Sequence, residues 1–447
     1  MRQVVFATVT AVMIAASGVS GCGRRGEEFD LVIISPHDEK ITEEFERGFA
    51  RVFTRVHGRA PRMSWRDFGA GTEAQMRAVL DQFSRQPAGI GVDLFFGGGI
   101  DPYRTLKAKG LLTPYRVRNI DDIPAELLGV PLYDRDYQWY GAVLSSFGIL
   151  YNKTLLRKLE VPEPRTWEDM TDARLMGYVG LADPSRSGSA RAIYEMILQA
   201  YGWEKGMGVI TLMAANASDF HAGSSSLVKD VTLGDVAMGP AIDFYGWTQI
   251  AEAGEDVLGF VLPEKLTVIT PDTIAILKGA PNPETARMFL DFVMGEAGQR
   301  LWLLKAGTEG GPEKYNLLRM PVLPSVYERY AAVSARRLNP FKFTSSFTHD
   351  SDKGSARREL VADLMKSLLM QPQEELRACW KAVQGARDRE RLIAKMTVLP
   401  LGESEALEMA RTKWEDQEFR ARTMTAWVHF ALKKYADVRA EAEAAAK

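Results

Sequence analysis

The sequence predicts an α/β fold that is followed by an all-helical C-terminal region. Short runs of β-branched and aromatic residues alternate with stretches of helical periodicity as far as about residue 306, which is typical of a parallel sheet with helices on its faces. From about residue 357 the composition shifts to Ala, Glu, Arg, Leu and Met, with apolar stripes at helical spacing. The chain is 46% hydrophobic and 10% aromatic, which indicates sizeable cores.

The charge balance excludes one class of function. The 58 acidic residues offset the 56 basic residues, so the sequence lacks the basic excess of a nucleic-acid-binding protein. The hydrophobic content is also too high for a disordered chain. We therefore expect a globular protein that has no nucleic-acid partner.

The first 22 residues have the pattern of an export signal. A basic start at Arg2 precedes an apolar run over about 4–19, and small residues then lead to Cys22. Because crossing a bilayer takes about 20 apolar residues, this run is a signal peptide and not a membrane span. Cys22 after Ser-Gly resembles the bacterial lipobox, whose cysteine is acylated; an ordinary cleaved signal with a chance cysteine is the alternative. We expect a signal peptide over 1–21 and a polar tether over 22–28.

The first α/β unit follows the tether. Continuous apolar runs predict strands buried on both faces, and helical spacing predicts the segments between them. Four residues from Thr72, Thr-Glu-Ala-Gln, fit a capping box at a helix start. In chain order we expect a strand over 29–35, a helix over 41–57, a strand over 62–65, a helix over 72–83, a strand over 92–96 and a helix through Tyr103 and Leu106.

A second unit begins at a long strand-like run over 139–151. Thr166 to Asp169 form another box-like helix start. After it we expect a strand over 178–181, helices over 189–201 and 203–215, and a strand over 236–242. Strands at 260–262 and 268–269 then lead into helices over 283–294 and 296–306, which return to the first unit.

The last part of the chain is predicted to be a helical extension over 341–447. Its Leu and Trp stripes are more often core than a cofactor site, and an Ala/Glu tail near Ala440 is expected to be solvated. Cys379 is the only cysteine besides Cys22, so the exported protein has no internal disulfide. Because Cys379 lies in a helical stretch, we expect it to be a buried apolar filler.

Three polar or glycine-rich loops are candidate ligand contacts. Ser187, Gly188 and Ser189 lie between a strand and a helix, where backbone N–H groups and the positive helix end favour an anion. A helix N-cap would by itself explain a serine there. The loops at 223–226, with Ser224 and Ser225, and at 97–99 lie at comparable element ends.

Two other positions follow predicted strands. His37 comes after the first strand, at the expected carboxyl-end rim of the sheet, although a lone histidine is most often a surface or capping residue. Asp243 and Tyr245 flank Phe244 after the strand over 236–242 and could equally be packing residues at a helix start. No hydrolase, kinase, thiol-redox or zinc-protease motif occurs, and a lone Gly-x-Gly at Gly69 is too common to indicate a dinucleotide. We expect no enzyme activity and no cofactor.

The order of four segments resembles the periplasmic solute-binding proteins of ABC importers, and among them the ferric-ion-binding branch. These segments are 31–53, 93–96, 187–189 and 233–237. The resemblance covers about residues 30–315. It implies a type II binding-protein fold with parallel or mixed sheets, with lobe one over 29–138 and 262–340 and lobe two over 139–261. It also implies hinge closure around a ligand and a membrane permease as partner.

The resemblance preserves only part of the ferric site. Family members hold iron with a His, a Glu and two adjacent Tyr, and they hold an anion at a lobe-two helix start. His37 and Tyr245 match two of these metal ligands, but Phe244 and Gly98 replace the other two. The anion half is better kept, at Ser187, Gly188, Ser189, Ser224 and Ser225, and the glycine-rich wall at Gly98 implies room for a ligand larger than an ion.

These observations favour a small organic anion, such as an organic phosphate, with ferric ion as an alternative ligand through His37 and Tyr245. Asp243 would repel an anion unless it bonds ligand hydroxyls or pairs with Arg186, which could also clamp a phosphate. We expect a lipid-anchored receptor on the periplasmic or extracellular side of the membrane. The alternative is a structural envelope lipoprotein that uses the C-terminal helices for interaction and keeps a vestigial cleft.

Overall fold

The structure is a computed structural model, and it describes residues 29–68, 71–335, 338–344 and 347–445. The predicted signal peptide, Cys22 and the tether lie outside the described residues. In the described part of the chain, every helix is either too short or too polar to span a membrane.

Strands dominate the first part of the chain and helices the last. The strands are β1 (Leu31–Ile34), β2 (Met63–Arg66), β3 (Leu94–Phe96), β4 (Leu112–Thr113), β5 (Glu126–Leu127), β6 (Val130–Pro131), β7 (Tyr140–Asn152), β8 (Val179–Ala182), β9 (Ala217–His221), β10 (Met238–Ile242), β11 (Leu258–Val261) and β12 (Ile269–Leu277). The helices are α1 (Glu39–His57), α2 (Thr72–Arg85), α3 (Ile100–Ala108), α4 (Lys153–Lys158), α5 (Gly188–Tyr201), α6 (Trp203–Asn216), α7 (Ser224–Leu233), α8 (Asp243–Ala253), α9 (Pro283–Met294), α10 (Glu296–Leu303), α11 (Pro324–Arg329), α12 (Ser351–Met365), α13 (Gln373–Gln384), α14 (Arg389–Met396), α15 (Glu403–Thr412) and α16 (Gln417–Ala445).

One sheet runs through two lobes, in the order β2-β1-β3-β12-β7-β10-β8-β9. The first half of β7 pairs with β12 as far as Ser146, and the second half pairs with β10 from Phe147. We call the half with β1–β4 and β12 lobe one, and the half with β8–β11 lobe two. The strand β7 and the segment 261–269 therefore carry the chain from one lobe to the other. This architecture confirms the predicted two-lobed α/β fold.

The sheet is mixed because its crossing strands are antiparallel. β1 pairs in parallel with β2 and β3 in lobe one, and β8 pairs in parallel with β9 and β10 in lobe two. β7 and β12 run antiparallel to each other. The parallel pairs bring their carboxyl ends to one edge in each lobe, and the candidate loops follow these strands.

The C-terminal helices share one hydrophobic core with lobe two. Trp203 and Met207 of α6 belong to the same buried cluster as Leu364, Trp380 and Trp427 of the extension. Cys379 is free and fully buried in that cluster, as predicted. The predicted solvated tail near Ala440 is the last part of α16, where Ala440 is exposed and Ala442 is buried against the core.

The extension also contacts lobe one near its start. Ser355 of α12 hydrogen-bonds the carboxylate of Asp101 on α3, and Arg104 pairs with Asp352 at 2.9 Å. The polar start of α12 therefore forms a third link between the lobes, besides β7 and the segment 261–269. The fused core, in contrast, lies against α5 and α6 of lobe two.

Local signals were reliable at some helix starts and wrong at another. Thr166 and Asp169 form the predicted capping box, although the helix that it opens is a short 3₁₀ turn. The predicted box at Thr72 does not form, because Gly71 is the N-cap of α2 and the side chain of Gln75 instead bonds Asp67 and the N–H of Phe68. The sequence also gave no sign of β9, whose polar residues form the edge of lobe two.

Candidate functional site

Three serine hydroxyls of lobe two converge at the starts of two helices. Ser187 Oγ lies 3.2 Å from Ser189 Oγ and 3.0 Å from Ser224 Oγ, and the Ser189 and Ser224 hydroxyl oxygens are 2.7 Å apart. Ser187 and Ser224 are buried, and Ser189 is partly exposed. We call these three residues the serine cluster.

The helix geometry gives the serine cluster a positive electrostatic character. Ser187 caps α5 by accepting a hydrogen bond from the N–H of Ala190 at 3.2 Å. Gly223, the N-cap of α7, provides no side-chain acceptor for the first turn of that helix. Because first-turn N–H groups have no intrahelical acceptor, both helix starts favour a negatively charged group beside the serine cluster.

A tight turn holds the first of these helix starts in place. Asp183 follows β8, and its carboxylate accepts hydrogen bonds from the N–H and the hydroxyl of Ser185 at 2.8 and 2.7 Å. The N–H groups of Arg186 and Ser187 then donate to the backbone oxygen of Asp183. Aspartate and serine favour such local turns, so the sequence itself directs the chain from β8 into α5.

Lobe one approaches the serine cluster through the start of α2. A β-carbon at Gly71 would lie 3.9 Å from the backbone oxygen of Arg186. Gly98 does not provide the open wall that the sequence suggested, because it is buried and a β-carbon there would collide with the side chain of Thr72. The glycine is needed for its φ of 87° and for this close approach, and Thr72 lies where open space was expected.

The other predicted residues are distributed around this cluster. Gly188 is the first residue of α5, Ser225 is exposed on the first turn of α7, and Arg186 is exposed. Asp243 is buried, and it accepts hydrogen bonds from Ser146 Oγ at 2.8 Å and from the N–H of Phe244 at 2.7 Å. The carboxylate of Asp243 thus contacts strand β7. Its predicted role as a ligand contact remains a prediction, like the roles of the other site residues.

A fully buried arginine lies between the two lobes, and sequence reasoning missed it. Arg319 donates to Ser145 Oγ at 2.6 Å and forms an ion pair with Asp272. Its guanidinium carbon lies 4.2 Å from the ring centre of Phe244, in the first turn of α8. Burial opposes ionisation of Asp272, but the adjacent Arg319 and His37 hold its pKa well below the usual value.

We call Arg319, Asp272, Ser145, Phe244 and His37 the arginine cluster. His37 belongs to it and not to the serine cluster. His37 Nε2 lies 3.5 Å from Arg319 and 3.7 Å from the carboxylate of Asp272, and its side chain is only 5% exposed. Tyr245 lies on the lobe-two side, with its ring 4.3 Å from that of Phe244. Burial, followed by the nearby carboxylate of Asp38, raises the pKa of Tyr245, so the phenol stays protonated at neutral pH.

The arginine cluster is a poor environment for a metal cation. The described residues contain no group of three His, Cys, Asp or Glu side chains that could hold a metal ion. A guanidinium beside His37 adds a fixed positive charge where an incoming ferric ion would have to bind. The metal-binding roles predicted for His37 and Tyr245 remain untested, and this charge speaks against them.

Arg319 and Asp272 were missed because their neighbours are distant in sequence. Arg319 is separated by 282 residues from His37 and by 174 from Ser145. The one local signal is a single arginine within the apolar sequence Leu317-Leu318-Arg319-Met320. A charge inside an apolar run predicts a buried ion pair, but it does not identify the partner.

The chain matches a known protein family over about half its length. Residues 90–307 match the family described as bacterial extracellular solute-binding protein. An uncharacterized protein of Haemophilus influenzae is 26% identical over 255 residues, covering 55% of this chain and 73% of that protein. The phosphoglycerate transport regulatory protein PgtC of Salmonella typhimurium is 24% identical over 249 residues, covering 55% of this chain and 57% of PgtC.

Solved structures of periplasmic binding proteins share the fold. The binding protein AfuA from Actinobacillus pleuropneumoniae, with exogenous fructose-6-phosphate bound, superposes with a TM-score of 0.60 at 21% identity, over 76% of this chain and 98% of AfuA. Iron-bound HitA from Pseudomonas aeruginosa gives 0.55 at 18% identity, over 74% of this chain and 97% of HitA. Both structures are covered almost completely, whereas about a quarter of this chain lies outside each match.

Proposed function

With a bacterial extracellular solute-binding protein domain at residues 90–307 as the premise, we propose that this protein captures a small anionic solute between its two lobes. The solute is an organic phosphate or a related anion. The protein then delivers it to an ABC importer in the membrane and has no enzymatic activity of its own. The observation that carries this proposal is the serine cluster, where three hydroxyls lie within 3.2 Å of one another at two helix starts.

The chemistry of the serine cluster suits a phosphate group. Each hydroxyl can donate one hydrogen bond, and the N–H groups of two helix starts add further donors. Neutral donors of this kind can bind an anion without a buried cation of their own. The relatives support the choice of ligand class, because AfuA was solved with fructose-6-phosphate and PgtC is named for phosphoglycerate transport.

The positive charge beside His37 also makes a ferric ion the less favoured ligand. Arg319 places a positive charge beside His37, and the carboxylate of Asp243 is hydrogen-bonded to Ser146. Ferric ion therefore stays the less favoured ligand in this proposal. The alternative of an interaction lipoprotein is also less favoured, because the extension packs on α5 and α6 rather than over the serine cluster.

The same proposal includes attachment to the membrane. Acylation of Cys22 would anchor the protein on the periplasmic or extracellular face of the membrane and keep it near its permease. Palmitate labelling of cells that express the full chain tests this step. Label in the wild type and none in Cys22→Ser is expected, and equal labelling of both would refute the anchor.

Calorimetric titration of the purified protein tests the ligand class. The panel contains fructose 6-phosphate, 3-phosphoglycerate, inorganic phosphate, a dicarboxylate and ferric citrate. We expect binding of at least one phosphate compound and none of ferric citrate. Binding of ferric citrate alone, or no binding across the panel, would overturn the proposal.

A further inference from the structure

Arg319 contacts both crossing strands at the points where their pairing changes. Its partner Ser145 is next to Ser146, the last residue of β7 that pairs with lobe one. Its other partner, Asp272, lies at a register shift of β12, between Asp272 and Thr273. Such irregular positions are where a strand bends, so Arg319 contacts both strands where the lobes can rotate.

The same side chain reaches a loop of lobe one and a helix of lobe two. His37 of lobe one lies 3.5 Å from the guanidinium, and the ring of Phe244 of lobe two lies 4.2 Å from its central carbon. The backbone around Arg319 is itself fixed, since its N–H donates to Trp302 and Met320 bridges to Leu144 of β7. Arg319 thus extends from a rigid base into the junction between the lobes.

The hydrogen bonding of Arg319 is incomplete in this conformation. Among the described residues, Arg319 Nε has no hydrogen-bond partner, although the side chain is fully buried. The same holds for Nδ1 of His37 and for Nε1 of Trp302, whose ring lies beside that of His37. Buried polar nitrogens without hydrogen-bond partners are costly, so a rotation of the lobes that supplies such partners would be favoured.

We propose that Arg319 is the positioning residue of the interlobe hinge. It holds His37 and Phe244 in fixed relation across the cleft, and it determines which lobe orientations the ligand-binding protein occupies. The inference rests on the proposed function in one respect, since the orientation that it sets is the one in which lobe one closes over the serine cluster. Arg319 itself is not assigned to the ligand.

Interlobe distances measured by electron paramagnetic resonance test this role. Spin labels go on cysteines that replace Arg55 of lobe one and Lys229 of lobe two, which are both exposed, in the full chain carrying Cys22→Ser. Cys379 can remain, because it is fully buried. We expect a narrow distance distribution in the otherwise unchanged protein and a distribution at least twice as wide in Arg319→Met. Arg357→Lys is the control, since Arg357 is equally buried and its ion pairs are with Glu195 of lobe two and Glu403 of the extension.

The outcomes separate this inference from the proposed function. An unchanged distribution in folded Arg319→Met would overturn the positioning role, whether or not any phosphate compound binds. If Arg319→Met does not fold, Phe244→Leu removes the ring contact with Arg319 together with the ring contact with Tyr245, and it should still widen the distribution. An unchanged width in Phe244→Leu would then overturn the role. Because the distances are read without ligand, a failure of the wild type to bind phosphate compounds would refute only the proposed function.

Discussion

Two fully buried arginines, Arg319 between the lobes and Arg357 in the extension, differ in how completely they are hydrogen-bonded. All three guanidinium nitrogens of Arg357 on α12 donate hydrogen bonds, to Glu195 at 2.8 to 3.2 Å and to Glu403 at 2.5 Å. Arg319 lies between the lobes, and its Nε has no partner among the described residues. The two side chains are equally buried but differ in how completely they are paired.

The two arginines also differ in their surroundings, because Arg357 lies inside one core and Arg319 lies among several separate segments. Arg357 lies over Trp203, at 5.1 Å from the ring centre, inside the core that joins the extension to lobe two. Arg319 contacts four segments that belong to different lobes or to the strands between them. A complete set of partners favours one arrangement, whereas an incomplete set leaves room for a second arrangement that bound ligand can stabilise. The contrast shows that the extension is fixed on lobe two by a shared core and a fully paired arginine.

The largest effect is expected from Arg357→Met, which tests the rigid side of this contrast. The substitution leaves the buried carboxylate of Glu195 without its cation, whereas Glu403 is partly exposed and keeps its ion pair with Lys353 at 3.2 Å. Breaking a buried ion pair from one side costs about 3–5 kcal/mol. We expect the free energy of unfolding, measured by urea denaturation, to fall by about that amount.

Arg411→Met is the matched control, because Arg411 is exposed on α15 of the same extension. The free energy of unfolding of Arg411→Met should fall by less than about 0.5 kcal/mol, the usual range for a surface substitution. Small and equal losses for both variants would mean that Arg357 does not hold the extension on lobe two.

Ser187→Asp tests the ligand side of the cleft and is expected to have the next largest effect. The new carboxylate would lie in the serine cluster, where the anion is proposed to bind, and like charges placed together cost several kcal/mol. We expect fructose 6-phosphate or 3-phosphoglycerate to bind about 100-fold more weakly in calorimetry, since each factor of ten is about 1.4 kcal/mol. Thr425→Asp, on an exposed face of α16, is the control for added charge. Unchanged affinity in Ser187→Asp would remove this loop from the site.

The fold was largely predictable because its signals are local. The apolar runs of β1, β3, β7 and β8 are buried along their whole length, so their composition alone identifies them. β9 escaped prediction because it is an edge strand with only its first residue buried, and it therefore needs no apolar run. The fusion of the extension with lobe two was not foreseen, since stripes of apolar residues do not identify the surface that they cover.

The part of the site that could be predicted is the part formed by neighbouring residues of a single loop. Ser187 and Ser189 flank a helix start, and a local turn pattern is enough to find them. Their contact with Ser224 joins residues 35 to 37 positions apart, and the arginine cluster joins residues that are far more distant. Such pairings depend on how the strands are ordered in the sheet, and a single sequence does not encode that order in any local pattern.

Ser224→Ala tests the contribution of a single hydroxyl to ligand binding and is expected to have a smaller effect than Ser187→Asp. It removes one hydroxyl from the serine cluster and leaves the helix start of α7 in place. A hydrogen bond to a neutral group contributes about 0.5–1.5 kcal/mol, so we expect about 3- to 10-fold weaker binding of the phosphate ligand in calorimetry. Ser226→Ala is the control in the same turn, because the Ser226 hydroxyl is exposed and donates to the backbone of Gly223. Equal losses in the two variants would show that the effect is not specific to the cluster.

The smallest effect concerns Lys434, a partly buried cation in the extension whose hydrogen bond goes to a backbone oxygen and not to a carboxylate. Lys434 of α16 donates to the backbone oxygen of Val398, and burial lowers its pKa to about 8. Because the folded pKa is below the unfolded value, the unfolded chain binds the proton more tightly above pH 8, and stability rises with pH there. Burial raises the pKa of the Cys379 thiol to about 11, which opposes this rise above about pH 9.

The useful window for Lys434 is therefore pH 8 to 9. We expect the free energy of unfolding of the wild type to rise by up to about 1 kcal/mol across it, because one pKa unit is worth about 1.4 kcal/mol. Lys434→Met should flatten this rise, whereas Lys433→Met, at an exposed neighbouring position, should keep it. Parallel curves for the wild type and Lys434→Met would mean that the amine reaches water. The extension would then be looser around Lys434 than the fully paired Arg357 implies.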